Sequence, residues 1–401
     1  MKITLIAGAR PNFMKVAPII KAIKAHNGLV DEGISGLGEK ISYRLVHTGQ
    51  HYDKNMSDTF FEELGIPAPD VNLGCGGGSQ AEQTAAIMVA FEKELMTHPA
   101  DIVLVVGDVT STMACSIVAK KLNTRVCHVE AGIRSWDLTM PEEINRMVTD
   151  SLADYMFTTS EVANRNLIRQ GAELVTGDGL QVTGERILPE DKYANQRVQQ
   201  RVWHVGNVMI DTLLANRARF RKPEVWDELG LKDQEFVVMT MHRPANVDEE
   251  NHLRQMMEQI IDNVHGLPVI FPIHPRTAKL FYGLWGDEAE LAKRFPNLHI
   301  VEPMGYLEFN YLVERAKAVV TDSGGITEET TVMGVPCITL RDNTERPETC
   351  TVGTNELIGT NPAAIKPALD KLFAGEWKKG AIPELWDGHT TERIIDILAK
   401  L

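Results

Sequence analysis

Short apolar runs alternate with amphipathic segments along the whole chain, which predicts strands that are each followed by a helix. ITLIAGA is followed by KVAPIIKAIKAH, IVLVVGD by STMACSIVAKKLN, and AVVTDSGG by ITEETTVMG. The run from Ile102 to Val106 is apolar at every position, which is typical of a central strand covered on both faces. The pattern predicts an α/β fold in which parallel sheets are covered by helices.

The length of 401 residues predicts two domains, because single hydrophobic cores rarely grow beyond about 250–300 residues. Residues 171–200 show weak periodicity, and HVGNVMIDTLL then resumes a strand-turn-helix pattern, so we place the boundary near His204. The predicted domains are 1–203 and 204–383, and the ending TTERIIDILAKL predicts a helix within 384–401. The glycine-rich residues 27–41 are predicted to form a loop or an insertion.

Composition and charge narrow the choice of partners. The formal net charge of -14 argues against nucleic acid and against an anionic membrane surface, since both require a basic face. No run approaches 18 consecutive apolar residues, so we expect no membrane span, and MKITLIAGARPNF reads as a first strand. Five cysteines without a C-x-x-C pair favour reduced thiols and a cytoplasmic location.

The first candidate phosphate site follows the first predicted strand. Gly8 begins a turn that contains Arg10 and leads to Lys15 in the first helical segment. Two cations beside a glycine turn and a helix N-terminus suit a diphosphate. The alternative is a surface turn with solvated charges.

The second candidate phosphate site follows the apolar strand AVVT and consists of Ser323, Gly324 and Gly325. Glycines let a ligand approach the backbone, and the N-terminus of the following helix favours an anion. Glu328 or Glu329 could then bind ribose hydroxyls. The alternative is a helix N-cap by Asp322 or Ser323 without any ligand.

Acidic residues follow two apolar strands and open one helix. Asp108 ends IVLVVGD, Glu130 ends RVCHVE, and Glu142 and Glu143 open PEEINR. Consecutive parallel strands are often neighbours, so Asp108 and Glu130 are expected in one crevice, where paired carboxylates serve proton transfer. The alternatives are a helix cap for Asp108, and a helix N-terminus paired with Arg146 for the two glutamates.

Two histidines, His242 in MHRPANVD and His274 in PIHPRT, lie at predicted strand ends. Each could donate to a phosphate, a sugar or a base edge, or act as a general acid. A zinc site at His47, His51 and Asp53 is less favoured, because HTGQHYD follows a strand and lacks a further dedicated ligand. No metal is therefore expected.

Several common fingerprints do not occur in the chain. It contains neither G-x-G-x-x-G nor G-x-x-x-x-G-K-[ST], which counts against NAD and ATP, and no G-x-S-x-G, which counts against a serine hydrolase.

Eleven segments together resemble the non-hydrolysing UDP-N-acetylglucosamine 2-epimerase family, in that family's order and over nearly the entire chain. They are GARPNFMK, HTGQHYD, GDVTST, HVEAGIRS, MPEEINR, HVGNVMIDTL, MHRPANVD, PIHPRT, TDSGGITEE, RDNTERPET and GTNELIG.

The resemblance implies two Rossmann-like, doubly wound domains that face a cleft, as in GT-B glycosyltransferases, with the C-terminal helix crossing back to the first domain. It implies a cytoplasmic homodimer that interconverts UDP-GlcNAc and UDP-ManNAc for surface polysaccharide synthesis. The reaction would pass through UDP elimination to 2-acetamidoglucal and re-addition of UDP, without a cofactor.

The resemblance also assigns roles to the candidate residues. The catalytic residues would be Asp108, Glu130, Glu142 and His242. The substrate-binding residues would be Arg10, Lys15, Arg146, His274, Ser323, Gly324, Gly325 and Glu329, with Glu329 on the ribose.

Four other functions fit parts of this pattern. They are 2-epimerisation of a UDP-2,3-diacetamido uronate, a hydrolysing epimerase that releases free ManNAc, a GT-B glycosyltransferase, and a UDP-sugar sensor without catalysis. Three acids near the sugar C2 would be hard to explain in a transferase. A sensor would keep its function when any one of those acids is replaced.

Overall fold

The structure is a computed structural model that describes residues 1–49, 63–176, 179–181, 200–273 and 275–401. Two compact units form the chain. The first comprises Met1–Ala215 and Glu384–Leu401, and the second comprises Asn216–Pro383. Each unit is an α/β domain built on its own, mainly parallel sheet.

The first domain contains a sheet whose described strands have the order β3-β2-β1-β4-β5-β6-β9-β7-β8. All its neighbouring strands are parallel except β7 and β8. The strands are β1 Lys2–Ala7, β2 Ser42–His47, β3 Val71–Asn72, β4 Ile102–Val106, β5 Arg125–Val129, β6 Tyr155–Thr158, β7 Glu173–Thr176, β8 Gly179–Gln181 and β9 Arg201–His204. The helices are α1 Arg10–Asp31, α2 Gln80–Thr97, α3 Thr110–Lys121, α4 Pro141–Leu152, α5 Glu161–Arg169 and α6 Val208–Arg217.

The apolar runs are explained by cores on both faces of this sheet. In β4, Ile102 and Leu104 belong to one buried cluster, whereas Val103 and Val105 belong to another. Alternate side chains of a strand point to opposite faces, so a strand between two helical layers must be apolar throughout. The prediction of a buried strand at Ile102–Val106 is confirmed.

The second domain repeats this arrangement with the strand order β12-β11-β10-β13-β14-β15, parallel throughout. The strands are β10 Val237–Thr240, β11 Val269–Pro272, β12 Leu298–Val301, β13 Ala318–Thr321, β14 Cys337–Thr339 and β15 Asn355–Leu357. The helices are α7 Glu224–Glu228, α8 Pro244–Val247, α9 Glu250–Asn263, α10 Pro275–Leu284, α11 Glu288–Arg294, α12 Tyr306–Arg315, α13 Gly324–Met333, α14 Pro347–Thr351 and α15 Ile365–Phe373, and a 3₁₀ turn covers Pro362–Ala364.

Both sheets contain the Rossmann order, in which the chain moves outward from a central strand and then returns to build the other half. The order reverses between β1 and β4 in the first domain and between β10 and β13 in the second. Ligands of doubly wound folds bind beyond the carboxyl ends of the strands at this switch point. The predicted pair of doubly wound domains is confirmed.

The C-terminal helix α16, Thr390–Leu398, packs on the first domain as predicted. Ile394, Ile395 and Leu398 are fully buried in the same cluster as the residues of α1. Asp211 accepts hydrogen bonds from the backbone N–H groups of Thr390 and Thr391 at 3.0 and 2.7 Å. The helix is therefore anchored both by its apolar face and by its first turn.

The domain boundary lies between Ala215 and Asn216, whereas the sequence analysis places it near His204. The reason is that most of α6 packs on the first domain. Val208 is buried in the core of that domain, and the Thr212 hydroxyl donates to the Met14 carbonyl at 2.6 Å.

Two segments differ from the predicted loops. Residues 27–31 form the last turns of α1 rather than part of a loop, and only the remainder up to 41 is irregular. The weakly periodic stretch contains β7 and β8, and its residues 182–199 lie outside the described part of the chain. No described helix combines the length and the apolar character that a membrane span requires.

Candidate functional site

Two predicted acids end adjacent strands at the switch point of the first domain. Val106 and Val129 are register partners at the ends of β4 and β5, so Asp108 and Glu130 follow the same edge of the sheet. Glu130 has a φ of 69°, a left-handed conformation that is uncommon for a residue other than glycine and that often marks a functional position. The strand register therefore brings both acids to the same edge of the sheet.

Lys15 contacts Glu130 directly. Its Nζ lies 2.5 Å from Glu130 Oε2, and both side chains are largely buried, with 12% and 2% of their surfaces exposed. Gly107 makes room for this pair, because a Cβ atom there would lie 3.1 Å from Lys15 Nζ. The lysine that the sequence analysis places beside a phosphate is thus held beside an acid in this structure.

Arg146 on α4 binds two acids from different elements. Its Nη2 donates to Asp108 Oδ2, and its Nη1 donates to Glu143 Oε2 at 2.8 Å. Glu143 is fully buried and also accepts from the backbone N–H of Ser135 at 3.0 Å. Of the two glutamates that open this helix, Glu143 is therefore the structural one, and the carboxylate of Glu142 is left half-buried on the first turn.

Asp108 lies one residue before Val109, which occupies the N-cap position of α3. Its carboxylate binds Arg146, and Asn145 Nδ2 donates to its carbonyl at 2.9 Å. About a third of the Asp108 side chain, 31%, is exposed, so a ligand can reach it.

The turn that follows β1 is organised by Asn12. Its Oδ1 accepts from the N–H groups of Gly8 and Ala9, both at 3.0 Å, and its Nδ2 donates to the Val106 carbonyl at 3.1 Å. The asparagine therefore occupies two backbone donors that a phosphate would otherwise use, and it ties α1 to the end of β4. Asn12 lies within the segment GARPNFMK, but the residue pattern alone did not mark it as a functional residue.

At the switch point of the second domain, His242 is anchored by Asp322. Its Nδ1 lies 2.8 Å from Asp322 Oδ1, and 65% of the His242 side chain is exposed while that of Asp322 is fully buried. Asp322 also accepts from the backbone N–H groups of His242 and Arg243 at 2.9 and 2.8 Å. An imidazole is thereby presented to solvent in one orientation.

The charge of Asp322 is well compensated. Burial alone would raise the pKa of Asp322, but the hydrogen bonds and charge of His242, together with the backbone donors, lower the pKa to about 2. Asp322 therefore stays ionised and favours a proton on His242 Nδ1.

The predicted glycine turn opens α13. Ser323 is the N-cap residue, and its side chain makes no capping hydrogen bond. Asp322, the other candidate cap, is used by His242 and Arg243. A Cβ at Gly325 would meet no atom within 4 Å, so the backbone at this helix end is accessible to an anion.

Glu329, further along α13, lies in a closed environment with 4% of its surface exposed. Its Oε1 accepts from the Tyr306 hydroxyl at 2.8 Å. Burial, assisted by the charge of Glu328, raises the pKa of Glu329 to about 7 against the hydrogen bonds from Tyr306 and Asn310. Glu328 pairs instead with Arg346, which distinguishes the two glutamates that the residue pattern alone left open.

Three residues of the sequence-based assignments, His274, His51 and Asp53, lie outside the described residues, as does the side chain of a fourth, Arg10. Across the part of the chain that is described, no group of three His, Cys, Asp or Glu side chains could hold a metal ion. His47 stacks on Phe13 with ring centroids 5.0 Å apart.

Comparison with known proteins places the chain in a family. The family model for UDP-N-acetylglucosamine 2-epimerase matches residues 37–399. A UDP-N-acetylglucosamine 2-epimerase of Methanocaldococcus jannaschii is 37% identical, and the match covers 99% of each chain. A UDP-2,3-diacetamido-2,3-dideoxy-D-glucuronate 2-epimerase of Pseudomonas aeruginosa is 35% identical over the full length of both chains.

A solved structure shows the same fold. The M. jannaschii UDP-GlcNAc 2-epimerase in complex with UDP-GlcNAc and UDP is similar with a TM-score of 0.78 at 36% identity, and the match covers 100% of both chains. Full-length matches at this identity, together with the two Rossmann sheets and the acids at their switch point, show that the chain belongs to the UDP-N-acetylglucosamine 2-epimerase family.

Proposed function

We propose that the protein is a non-hydrolysing 2-epimerase that interconverts UDP-GlcNAc and UDP-ManNAc. The observation that carries the proposal is the pair of acids at the switch point of the first domain, Asp108 bound by Arg146 and Glu130 bound by Lys15. The M. jannaschii relative bears the name of this activity, and its structure was obtained with UDP-GlcNAc and UDP.

In the proposed reaction a base removes the proton from C2 while UDP leaves C1. The C1–O bond breaks, a C1–C2 double bond forms, and the product is enzyme-bound 2-acetamidoglucal. A proton is then returned to C2 from the other face, and UDP adds back to C1. Proton and UDP are both restored, so the reaction needs no redox cofactor.

Asp108, Glu130 and Glu142 are the groups that exchange these protons. Two faces of C2 must be served, which requires more than one positioned acid or base. Lys15 and Arg146 hold the carboxylates of Glu130 and Asp108 in fixed positions. Glu142 lies one helical turn from Arg146 on the same helix.

The second domain binds the UDP group and stabilises it as it departs. The C2 proton is weakly acidic, so its removal requires strong stabilisation of the negative charge that develops on the diphosphate. The turn of Ser323, Gly324 and Gly325 offers backbone donors at a helix N-terminus that the Ser323 side chain does not cap. We assign to His242, which is exposed and anchored by Asp322, the donation of a hydrogen bond or proton to the leaving oxygen.

The remaining binding roles are assigned by the resemblance. Glu329 binds the ribose hydroxyls, since its carboxylate lies on the helix that begins at this turn. Arg10 and His274 bind the diphosphate or the sugar.

We further propose that the protein is a cytoplasmic homodimer that supplies a precursor for surface polysaccharides. Two helices of the first domain carry exposed apolar pairs at helical spacing, Val89 with Met96 on α2 and Ile144 with Met147 on α4. Such side chains are typical of a surface that another chain covers. Light scattering should give a dimer for the native chain, and the double variant Val89→Asp, Met96→Asp should be monomeric with unchanged circular dichroism. A monomeric native chain would exclude the dimer.

Proton NMR in deuterated water tests the reaction itself. Purified protein and UDP-GlcNAc, without added nucleotide or metal, should yield UDP-ManNAc with deuterium at C2. Release of free ManNAc and UDP would identify a hydrolysing enzyme. An unchanged spectrum despite UDP binding would refute this substrate, and a UDP-2,3-diacetamido uronate would be tested next.

The variant Glu130→Gln separates catalysis from binding. It should lose turnover and C2 exchange while calorimetry still shows UDP binding, because the UDP group contacts the other domain. A UDP-sugar sensor and a glycosyltransferase both predict no deuterium exchange at C2 in the native protein, because glycosyl transfer breaks the C1–O bond without removing a carbon-bound proton.

A further inference from the structure

Three charged side chains form a cluster that is completely shielded from solvent beneath the acids of the first domain. The cluster consists of His128, Asp150 and Arg134, and each side chain has 0% of its surface exposed. His128 Nδ1 lies 2.7 Å from Asp150 Oδ1, and Arg134 Nη2 lies 2.6 Å from Asp150 Oδ2. We refer to these residues as the buried triad.

Both ring nitrogens of His128 face oxygen acceptors. Nε2 lies 2.8 Å from the Gly107 carbonyl oxygen, which has no proton to donate, so Nε2 must carry one. Nδ1 faces the Asp150 carboxylate. Burial alone would raise the pKa of Asp150, but the charges and hydrogen bonds of His128 and Arg134 outweigh this effect and hold the pKa of that carboxyl below its usual range. The carboxylate is therefore ionised, and both nitrogens of the ring donate.

The net charge of the triad does not depend on where the shared proton resides. A neutral imidazole and a carboxylate together carry one negative charge. His128 and Asp150 hold one proton more than that, so the pair is neutral whether this proton lies on Nδ1 of His128 or on Oδ1 of Asp150. Arg134 then adds a single positive charge, which lies below a site that contains three proposed catalytic carboxylates.

The triad joins all the elements that carry those carboxylates. Its bond to Gly107 orients the peptide group that precedes Asp108. His128 itself lies on β5, two residues before Glu130. Asp150 lies on α4, the helix of Glu142, and also accepts from the N–H of Gly132 in the turn after Glu130 at 3.1 Å.

We propose that His128 is a positioning residue of the epimerase, and that its doubly protonated ring holds the segments of Asp108, Glu130 and Glu142 in register. The inference rests on the proposed function. A buried ion triad is seldom more stable than apolar residues of the same volume, so stability alone gives little reason for it. A displacement of about 1 Å at a catalytic group can lower turnover about 100-fold, which gives positioning a large effect.

Two substitutions separate the bonds of the ring. In His128→Gln the side-chain amide nitrogen can take the place of Nε2 and keep the bond to the Gly107 carbonyl. In His128→Asn the amide can replace only Nδ1 and keep the bond to Asp150. Asp154→Asn is the matched control, because Asp154 binds Lys120 Nζ at 2.7 Å and the Val126 N–H at 2.7 Å at the opposite end of β5, away from the acids.

Kinetics, UDP calorimetry and thermal melting of these full-length variants test the inference. His128→Asn should lower kcat about 10- to 100-fold with an unchanged KM and an unchanged UDP affinity, and His128→Gln should recover a measurable part of the loss. Asp154→Asn should lower Tm by about as much as His128→Asn does, but it should leave kcat unchanged. Equal kcat values for all three variants at equal loss of Tm would overturn the proposal and leave the triad a purely structural feature.

NMR of the native protein labelled with ¹⁵N-histidine tests the hydrogen bonds of the ring without using turnover. The signals that disappear in His128→Gln should belong to a ring that carries a proton on each nitrogen, because Nε2 faces a carbonyl oxygen and Nδ1 faces a carboxylate. A ring that lacks a proton on either nitrogen would overturn the proposal. Absence of C2 exchange in the native protein would instead refute the proposed function, and the NMR result would then decide the state of the triad by itself.

Discussion

Replacing Asp322 by asparagine should destabilise the second domain and disorder the imidazole of His242. The native carboxylate accepts hydrogen bonds from two backbone N–H groups, from Asn246 Nδ2 at 3.1 Å and from His242 Nδ1 at 2.8 Å. An asparagine of the same shape has one acceptor oxygen in place of two, and its NH₂ group would face donors. Several buried donors would thus lose their acceptor.

The size of the effect follows from the ionisation of Asp322. The pKa falls from 3.8 to about 2 in the folded protein. A pKa difference of one corresponds to about 1.4 kcal/mol, so the ionised carboxylate contributes about 2 kcal/mol to the free energy of folding. Because the folded-state pKa is depressed, this contribution is present above pH 3.8 and is lost as the pH falls toward 2. The neutral asparagine has no such dependence.

Urea unfolding followed by circular dichroism measures this contribution, and hydrogen exchange of peptides from β10 and β13 assigns it to the second domain. At pH 7 Asp322→Asn should unfold about 2 kcal/mol more easily than the native chain, and this difference should shrink between pH 4 and pH 2. Asp370→Asn is the control, because the Lys366–Asp370 pair is an exposed helical ion pair of the same domain at 2.6 Å. Its effect should stay below about 0.5 kcal/mol.

Two results would refute this reasoning. One is a difference between Asp322→Asn and the native chain no larger than that of the control. The other is a difference of the expected size that does not change with pH, since the effect would then come from packing rather than from the charge of the carboxylate.

Three further predictions concern other parts of the molecule. Gly107→Ala should lower turnover at least about 10-fold with UDP affinity unchanged, because its Cβ would lie 3.1 Å from Lys15 Nζ at a φ of 66°; native kinetics would refute it. Asp211→Ala should cost about 1–2 kcal/mol and speed hydrogen exchange in α16 before the rest of the domain, since Asp211 caps the first turn of that helix; uniform exchange would contradict this. The free energy of unfolding of the native chain should fall by about 3 kcal/mol as the pH rises from 4.5 through 7, because the pKa of Glu329 is raised to about 7. Urea unfolding at a series of pH values measures this loss, and Glu329→Gln should remove it.

Much of the fold could be predicted from the sequence because local and global preferences agree. Strands between two helical layers are apolar at every position, and glycines and polar residues follow them directly. The residue order alone therefore predicts the strand Ile102–Val106 and the acid after it, Asp108. The sequence pattern also predicts the C-terminal helix, because Ile394, Ile395 and Leu398 recur at helical spacing. The domain boundary was misplaced because a helix signal does not reveal which core buries the helix.

The order of the residues places acids, cations and glycines directly after the predicted strands, because strand ends and helix starts are local features. The packing of the folded chain selects which of these groups meet. Lys15 binds Glu130 across 115 residues of chain, and Asp322 binds the His242 backbone across 80. The physical reason is that a cation has the same attraction for every carboxylate in the sequence, and the packing of the sheet alone selects the one within reach.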